Sequence, residues 1–208
     1  MKVALINGSP HEMGSTYGAL LIAGENLKKE GIDYEIFWIG NKPVSGCLGC
    51  GACRKLGKCV IEDSVNQFAK IAHEFDGFIF GTPVHFAAMG GQIASFMDRL
   101  FFSANKSGAF YLKPASAIAV ARRAGTTATI DQINKYFLFA HMPVISSRYW
   151  NVIHGTNKDE ILKDEEGVQI IRILAKNMAF FLKCKEAGLK AGILPPEPET
   201  QIPTNFIR

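Results

Sequence analysis

Short apolar stretches alternate with helical patterns along most of the chain, and this alternation restricts the possible folds more than any other feature. The predicted strands are the apolar runs at residues 3–6, 34–39, 77–81, 115–121 and 143–146. Strands separated by helices form parallel sheets, because a parallel connection needs a crossover of about a dozen residues or more. We therefore expect an α/β fold with a doubly wound, five-stranded parallel sheet and right-handed crossovers.

The intervening helices are predicted from apolar residues at helical spacing. They begin at Ser15, Ser64, Gly91, Thr127 and Glu166. Gly31 is expected to end the first helix as a C-cap. Ser64 and Gln67 match the capping-box pattern at the start of the second. Cys184 falls in the last helix, where we expect it to be a small core residue.

The length and composition are those of one globular domain. Of the 208 residues, 48% are hydrophobic and 20% are charged, which is ordinary for a folded protein. We expect a domain over residues 1–190, followed by an arm over residues 191–208. Four prolines between Leu194 and Pro203 exclude a helix there and favour an extended chain.

Charge and hydropathy exclude two classes of partner. The net charge is +4, and Lys and Arg are scattered without a basic block, so nucleic-acid binding has little support. No apolar run reaches the roughly 18 residues that suggest a membrane span. The first residues lack the apolar segment and cleavage site of a signal peptide. We therefore expect a cytoplasmic protein that contacts neither nucleic acid nor membrane.

Four of the five cysteines lie in one short segment, residues 46–60, inserted after the second strand. Cys47, Cys50, Cys53 and Cys59 follow the spacing C-x2-C-x2-C-x5-C. Thiolates at such spacing bind iron–sulfur clusters or, less often, zinc. Glycines between them let the backbone curl around a ligand. In a reducing compartment, a metal or redox role is favoured over structural disulfides, although free thiols remain an alternative.

The loop after the first strand, residues 8–16, has the character of an anion site. It is small, rich in hydroxyls and ends at a helix N-terminus, where free N–H groups and the helix dipole attract negative charge. Ser9, Ser15 and Thr16 can add hydroxyl donors. No lysine follows Gly14, so the loop is not a P-loop. It suits a monophosphate that is held and not transferred; the alternative is a tight turn with a serine N-cap.

The loops after the third and fourth strands could form the rest of a pocket. Pro83 stiffens the first, and residues 84–86 could give a flat wall for an aromatic ring. In the second, Arg122 and Arg123 could contact a ring edge or the phosphate of a dinucleotide. Each could equally be an ordinary strand-to-helix loop.

The anion loop, the cysteine run and the Gly-Thr-Pro-Val-His sequence at 81–85 occur in that order. Together they resemble the NAD(P)H-dependent FMN reductases of the flavodoxin-like fold, most closely the iron–sulfur flavoprotein branch. The resemblance covers roughly residues 1–185. It implies a strand order of 2-1-3-4-5, FMN at the sheet edge, and a homodimer or homotetramer with the flavin near a subunit interface.

The resemblance also implies roles for individual residues. The residues around the FMN phosphate would be Ser9, His11, Gly14, Ser15 and Thr16. Those lining the isoalloxazine would be Thr82, Pro83, Val84, His85 and Phe86, with Gly125 in a third wall. The ligands of a 4Fe-4S cluster would be Cys47, Cys50, Cys53 and Cys59. His11 and Glu12 stand where the family often has Arg or Lys, so phosphate binding would rely more on backbone amides.

The implied activity is electron transfer between NAD(P)H or a redox partner and a small-molecule or protein acceptor, through FMN and the cluster. Flavins carry this chemistry themselves, so no general base is required. His85 is the best candidate for a proton relay. Two alternatives stay open: a simple NAD(P)H:FMN or quinone reductase without a cluster, and a non-enzymatic electron carrier like flavodoxin.

Overall fold

A parallel sheet forms the centre of the computed structural model, which describes residues 1–200, 202 and 204. The strands are β1 (Lys2–Asn7), β2 (Asp33–Trp38), β3 (Gly77–His85), β4 (Ala88–Met89), β5 (Ala115–Ala121) and β6 (Val152–His154). The parallel strands lie in the order β2-β1-β3-β5-β6, and β4 pairs antiparallel with the end of β3. Counted along the chain without β4, this is the expected order 2-1-3-4-5, so the fold prediction is confirmed.

Helices cover both faces of the sheet. They are α1 (Ser15–Lys29), α2 (Cys53–Leu56), α3 (Ser64–Ile71), α4 (Gly91–Ala104), α5 (Thr126–Phe139), α6 (Lys158–Ile161) and α7 (Glu165–Lys190). Apolar residues of α1 and α7 pack with Val3 and Leu5 of β1. Those of α3, α4 and α5 pack with Ala4 and Ile6 on the opposite face. A strand buried on both faces needs such a continuous apolar run, which β1 has.

The core beneath α3 and α4 is rich in phenylalanine. Phe68 of α3 lies 6.0 Å from Phe96 of α4 between ring centroids, and both are fully buried. Each such ring contributes roughly 1.5–3 kcal/mol through burial. The same two helices carry Asn66 and Arg99, which contact Cys59 of the cysteine segment. No helix in the described residues is both long and apolar enough to span a membrane.

The predicted fifth strand at 143–146 was wrong. Val144 makes an isolated parallel bridge with Ala115, and the chain then leaves the sheet until β6. Polar contacts explain this departure. The Ser116 hydroxyl donates to the Ile145 carbonyl at 2.8 Å, and the Asn151 amide donates to that hydroxyl at 2.8 Å. Beyond the backbone bonds of Ala115 with Pro143 and Ile145, these side chains bridge the two segments.

Two further expectations were wrong. The N-cap of α3 is Asp63, whose carboxylate accepts from the Val65 N–H at 3.0 Å, so Ser64 and Gln67 form no capping box. A carboxylate also complements the helix dipole better than a hydroxyl does. Cys184 is exposed rather than buried, because it lies two residues beyond the inward-facing Leu182 on α7.

The C-terminal arm is extended as far as it is described. Residues 193–200 form no helix or strand, and the Tyr111 hydroxyl donates to the Pro196 carbonyl at 3.2 Å. The remainder of the predicted arm, at positions 201, 203 and 205–208, lies outside the described residues. The division between a domain and an arm at residue 190 stays a prediction.

Candidate functional site

The loop between β1 and α1 is held in shape by its own side chains. Asn7 is buried; its side-chain oxygen accepts from the Ser9 N–H at 3.1 Å and its amide donates to the Glu12 carbonyl at 2.9 Å. The Ser9 hydroxyl accepts from the His11 N–H at 3.1 Å. From the end of β2, the Trp38 indole donates to the Ser9 carbonyl at 2.8 Å. Asn7 and Trp38 were not predicted as site residues from the sequence, although an asparagine before Gly-Ser is typical of a side-chain-closed turn.

Close packing ties this loop to the neighbouring strand. The Gly8 N–H donates to the Gly81 carbonyl at 2.9 Å. A Cβ at Gly8 would lie 2.2 Å from the Ile93 side chain and 2.9 Å from that carbonyl, so no larger residue fits. The loop after β1 and the start of the hairpin after β3 are thus side by side.

The first turn of α1 combines free donors with an unpaired hydroxyl. Gly14 is its N-cap and supplies no side-chain acceptor, so the first N–H groups keep no intrahelical partner. Thr16 is fully buried, and its Oγ1 has no hydrogen-bond partner among the described residues. A buried unpaired hydroxyl costs about 1–3 kcal/mol. An anion at this point would satisfy all of these donors, so the residues present fit a bound phosphate.

The loop after β3 is a β-hairpin with an unusual turn. Val84 pairs with Met89 and His85 with Ala88, leaving two residues at the tip. Both tip residues, Phe86 and Ala87, have left-handed backbones, with φ of 50° and 59°. Such conformations are uncommon outside glycine and concentrate at functional sites. The Phe86 side chain is fully exposed at the tip.

The loop after β5 packs directly beneath that hairpin. Gly125 has a φ of 92°, and a Cβ there would lie 2.6 Å from the Ala87 Cα and 3.0 Å from the Val84 side chain. The Met89 N–H donates to the Gln132 side chain on α5 at 3.0 Å, which fixes the returning strand. Arg122, earlier in the loop, is exposed. The three loops predicted to form a pocket therefore meet at the carboxyl ends of the adjacent strands β1, β3 and β5.

The helices that follow β1, the β3–β4 hairpin and β5 differ from α3, α6 and α7 in how they are capped. The helices α1, α4 and α5 start after Gly14, Gly90 and Gly125, and none of them has a side-chain cap. The helices α3, α6 and α7 have side-chain caps from Asp63, Asn157 and Asp164. Uncapped starts leave N–H groups and the positive end of the helix dipole available to an anionic or electron-rich ligand.

The cysteine segment places its four cysteines around one small cavity. Cys47, Cys50, Cys53 and Cys59 line a single small cavity together with Arg99 and Phe102. Cys47 and Cys50 are exposed, whereas Cys53 and Cys59 are partly buried. Four sulfur donors fit an iron–sulfur cluster or zinc. However, no three His, Cys, Asp or Glu side chains of the described chain stand in a metal-binding arrangement.

Positive φ angles at three glycines produce the curl of this segment. Gly49, Gly51 and Gly57 have φ of 64°, 70° and 68°. Gly57 also ends the short helix α2, which begins at Cys53. Glycine adopts these angles without the steric penalty of a side chain. The glycines thus turn the backbone around the cavity as the sequence predicts.

Arg99 of α4 is the buried charge beside this cavity. Its Nε donates to the Cys59 Sγ at 3.3 Å, and its two Nη atoms contact the Asp63 carboxylate at 2.5 and 3.0 Å. It also donates to the Ser45 carbonyl at 3.3 Å and the Ile61 carbonyl at 2.8 Å. Burial alone would lower the pKa of Arg99, but hydrogen bonds to Asp63 and Cys59 raise it overall.

Two amide side chains bind the cysteine segment and the part of the chain that leads into it. The Asn66 side chain accepts from the Cys59 N–H at 3.1 Å and donates to the Cys59 carbonyl at 2.8 Å. Gln92 donates to the Gly40 carbonyl at 2.7 Å. These residues and Arg99 were not predicted from the sequence, although an arginine on an otherwise apolar helix face was an available signal.

The predicted FMN residues are in neighbouring loops, as expected, but differ in exposure. Ser9, Thr16 and Thr82 are buried; Gly14, Ser15, Pro83, Val84 and Gly125 are partly buried; His11, His85 and Phe86 are exposed. Thr82 points its hydroxyl towards the Gly90 N–H, from which it accepts at 3.3 Å. Thr82 therefore supports the hairpin from beneath, while the exposed residues stand at its rim.

Comparisons with known proteins agree with this geometry. The chain is 32% identical over 194 residues to an iron–sulfur flavoprotein of Methanocaldococcus jannaschii, covering 88% of this chain and 98% of that protein. Among solved structures, RosB with bound 8-demethyl-8-formylriboflavin-5′-phosphate has a TM-score of 0.72 at 15% identity, covering 99% of this chain and 92% of RosB. A flavodoxin from the domain Archaea has a TM-score of 0.58 at 14% identity, over 88% and 99% of the two chains.

These two structures show that the fold is flavodoxin-like. The model of the NADPH-dependent FMN reductase family matches residues 1–157, which carry all three pocket loops and the cysteine segment. The chain therefore belongs to the NADPH-dependent FMN reductase family and is an oxidoreductase of the flavoprotein type.

Proposed function

We propose that the protein is an FMN-dependent oxidoreductase that moves electrons between NAD(P)H or a redox partner and an acceptor, using a 4Fe-4S cluster as a second redox group. The observation that carries the FMN site is the buried, unpaired Thr16 hydroxyl beside the uncapped start of α1. A phosphate monoester there would accept hydrogen bonds from this hydroxyl and from backbone N–H groups.

The chain's own residues position and shield the flavin. The phosphate residues are Ser9, His11, Gly14, Ser15 and Thr16, and the ring residues are Thr82, Pro83, Val84, His85, Phe86 and Gly125. Bound FMN supplies two-electron and one-electron redox chemistry. Partly buried Pro83 and Val84 would exclude water from one side of the ring. Exposed His85 could hold a proton at the hairpin's rim.

The cluster is supported by three features of the cysteine segment. Cys47, Cys50, Cys53 and Cys59 share one cavity, the glycines between them curl the backbone, and a relative at 32% identity is named an iron–sulfur flavoprotein. A bound 4Fe-4S cluster would exchange single electrons. NAD(P)H would be the co-substrate and a small molecule or a protein the acceptor.

The proposal extends to assembly and location. Phe102, Leu138 and Phe139 are exposed on α4 and α5, which supports burial of this apolar surface in a homodimer or homotetramer. The particle mass in solution, measured by light scattering for the full chain and for a chain ending at Gly192, tests the assembly and the part played by the arm. A cytoplasmic location would keep the cysteine thiols reduced.

Anaerobic purification followed by flavin, iron and sulfide analysis tests the function. We expect about one FMN and about four irons per chain, and rapid bleaching of the flavin absorbance by NADH or NADPH. A chain that takes up no FMN, as judged by its absorbance and melting temperature, would contradict the proposal entirely.

One observation favours a second candidate, a simple NAD(P)H:FMN or quinone reductase without a cluster. The described cysteines do not stand in a metal-binding arrangement. Flavin that is bleached by NAD(P)H in a chain with zinc or no metal would support this candidate. Flavin that neither NADH nor NADPH bleaches would indicate an electron carrier instead.

A further inference from the structure

We infer that Arg99 is a positioning residue for the cysteine site: it fixes the Cys59 sulfur through a charged N–H and raises the reduction potential of the metal group bound there. This inference rests on the proposed 4Fe-4S cluster. It starts from the side-chain hydrogen bond between the Arg99 Nε and the Cys59 Sγ, 3.3 Å long.

The other contacts of the guanidinium leave its Nε–H free to donate to the Cys59 sulfur. Both Nη atoms are engaged by the Asp63 carboxylate and by the carbonyls of Ser45 and Ile61. Because a guanidinium is planar, these contacts fix the direction in which the Nε–H points. The Arg99 side chain is fully buried, so solvent does not compete for this donor.

Cys59 is also the cysteine that the fold holds most firmly. Asn66 binds both its N–H and its carbonyl, and Asn66 itself is 2% exposed. Cys47 and Cys50, by contrast, are exposed. The structure thus prepares one sulfur in place, while the other thiols can adjust around whatever binds.

Charge is the property that separates this role from simple loop support. One-electron reduction of a four-cysteine metal site adds one negative charge close to the sulfurs. A buried guanidinium 3.3 Å from one sulfur stabilises that charge, because Coulomb interactions are strong where solvent is excluded. The Asp63 carboxylate, which binds the two Nη atoms and not the Nε, opposes it with its negative charge. The two residues should therefore shift the potential in opposite directions.

The variants Arg99→Gln, Arg99→Lys and Asp63→Asn test this assignment. Arg99→Gln keeps a donor but removes the charge, Arg99→Lys keeps the charge without the planar contacts, and Asp63→Asn leaves the Arg99 charge uncompensated. We expect the potential to fall in the order Asp63→Asn, wild type, Arg99→Lys, Arg99→Gln. Between wild type and Arg99→Gln, we expect at least a tenfold change in the one-electron equilibrium, about 59 mV.

The measurement is a dithionite titration of the anaerobically purified full chain, followed by electron paramagnetic resonance, with iron, sulfide and FMN contents determined for each variant. Arg148→Gln serves as the control, because Arg148 is exposed and pairs with Glu166 at 3.7 Å on another face. It should leave the potential unchanged. The FMN content reports whether each variant has folded.

Each outcome decides the inference. The inference is overturned if the one-electron equilibria of the cluster-containing variants agree within twofold, or if their reduction potentials do not follow charge. Arg99 would then have only a structural role. If Arg99→Gln retains no iron, the opposite shifts expected of Arg99→Lys and Asp63→Asn decide the matter. A wild-type chain without iron after anaerobic purification would remove both this inference and the proposed cluster. If the wild type contains the cluster but the reduction potentials of the variants do not follow their charges, this inference alone is overturned.

Discussion

The proposed flavin pocket and the cysteine segment lie at the same edge of the sheet but are built differently. The pocket consists of short loops held by contacts that admit no side chain, as at Gly8 and Gly125. The cysteine segment is a longer insertion in which Cys47 and Cys50 are exposed, and Arg99 contacts Ser45 just before it and Cys59 near its end. The fold therefore completes the pocket by itself, whereas the cysteine site keeps freedom that a bound metal would remove.

Helix α4 is the element that both regions share. Its first residue, Gly91, follows the hairpin. Its Gln92 side chain binds Gly40 ahead of the cysteine segment, and its Arg99 side chain binds Cys59 within the segment. A shared helix can transmit strain, but the contacts within each region are separate. We accordingly expect the two cofactors to bind independently.

The largest expected effect comes from removing one thiol. Cys47→Ser should lower the iron content from about four per chain to less than one, because a serine hydroxyl is a poor iron–sulfur ligand. FMN should remain at about one per chain. Cys184→Ser, on the exposed side of α7, is the control and should change neither content. Loss of flavin together with iron would show that the two regions form one unit.

The next effect concerns the pocket. Gly125→Ala would place a Cβ 2.6 Å from the Ala87 backbone at a φ of 92°, so the hairpin must move. We expect FMN affinity to fall at least tenfold and stability to fall by about 2 kcal/mol, with the iron content unchanged. Flavin fluorescence titration and thermal melting measure these effects.

Gly31→Ala is the matched control for this change. Gly31 also has a positive φ, 78°, but nothing lies within 4 Å of the point that a Cβ would occupy. It should reduce stability by about 1 kcal/mol through backbone strain and leave FMN affinity unchanged. Equal FMN affinities in the two variants would place the flavin away from the hairpin.

A smaller effect is expected from Thr16→Val, which keeps the side-chain shape and removes the unpaired hydroxyl. FMN affinity should fall about tenfold, because a hydrogen bond to a charged group contributes about 1.5 kcal/mol at the lower end of its range. The flavin-free chain should melt at the same temperature or higher, since the hydroxyl has no partner among the described residues. Riboflavin, which lacks the phosphate, should bind both chains equally. A parallel loss of riboflavin affinity would contradict the phosphate assignment.

The smallest effect is expected from Phe86→Ala. The ring is fully exposed, so stability should change by less than about 0.5 kcal/mol. If the ring stacks over the site, the KM for NAD(P)H should rise about two- to tenfold, in line with aromatic contacts of about 0.5–1.5 kcal/mol. Phe180→Ala, exposed on α7, should leave KM unchanged. Steady-state kinetics with each variant would show no difference if Phe86 stays clear of the co-substrate.

Much of the fold could be predicted because burial and periodicity are local in the sequence. Apolar runs such as residues 3–6 and 115–121 can be buried only in a central strand. The same reasoning failed for residues 143–146. There, Val144 makes an isolated bridge with Ala115, and the Ile145 carbonyl accepts from the Ser116 side chain. Cys184 was misplaced although helical periodicity puts it about 200° around α7 from Leu182.

The site was predictable where it depends on loops of known position, and not where it depends on contacts between distant residues. The glycines and hydroxyls after β1 could be recognised directly. The link from Arg99 to Cys59 spans 40 residues along the chain, and no local pattern encodes it. The same holds for Trp38, which reaches Ser9 across 29 residues. Tertiary hydrogen bonds of this kind require the fold before they can be assigned.

The absence of side-chain caps at the starts of α1, α4 and α5 has a consequence for the abundance of the protein in a cell. A ligand present at a hundred times its dissociation constant stabilises a fold by about 2.7 kcal/mol. A newly made chain without bound FMN lacks this stabilisation, unfolds more often and is more readily cleaved by proteases. Vitamin supply would then set how much of the protein accumulates, without any dedicated regulator.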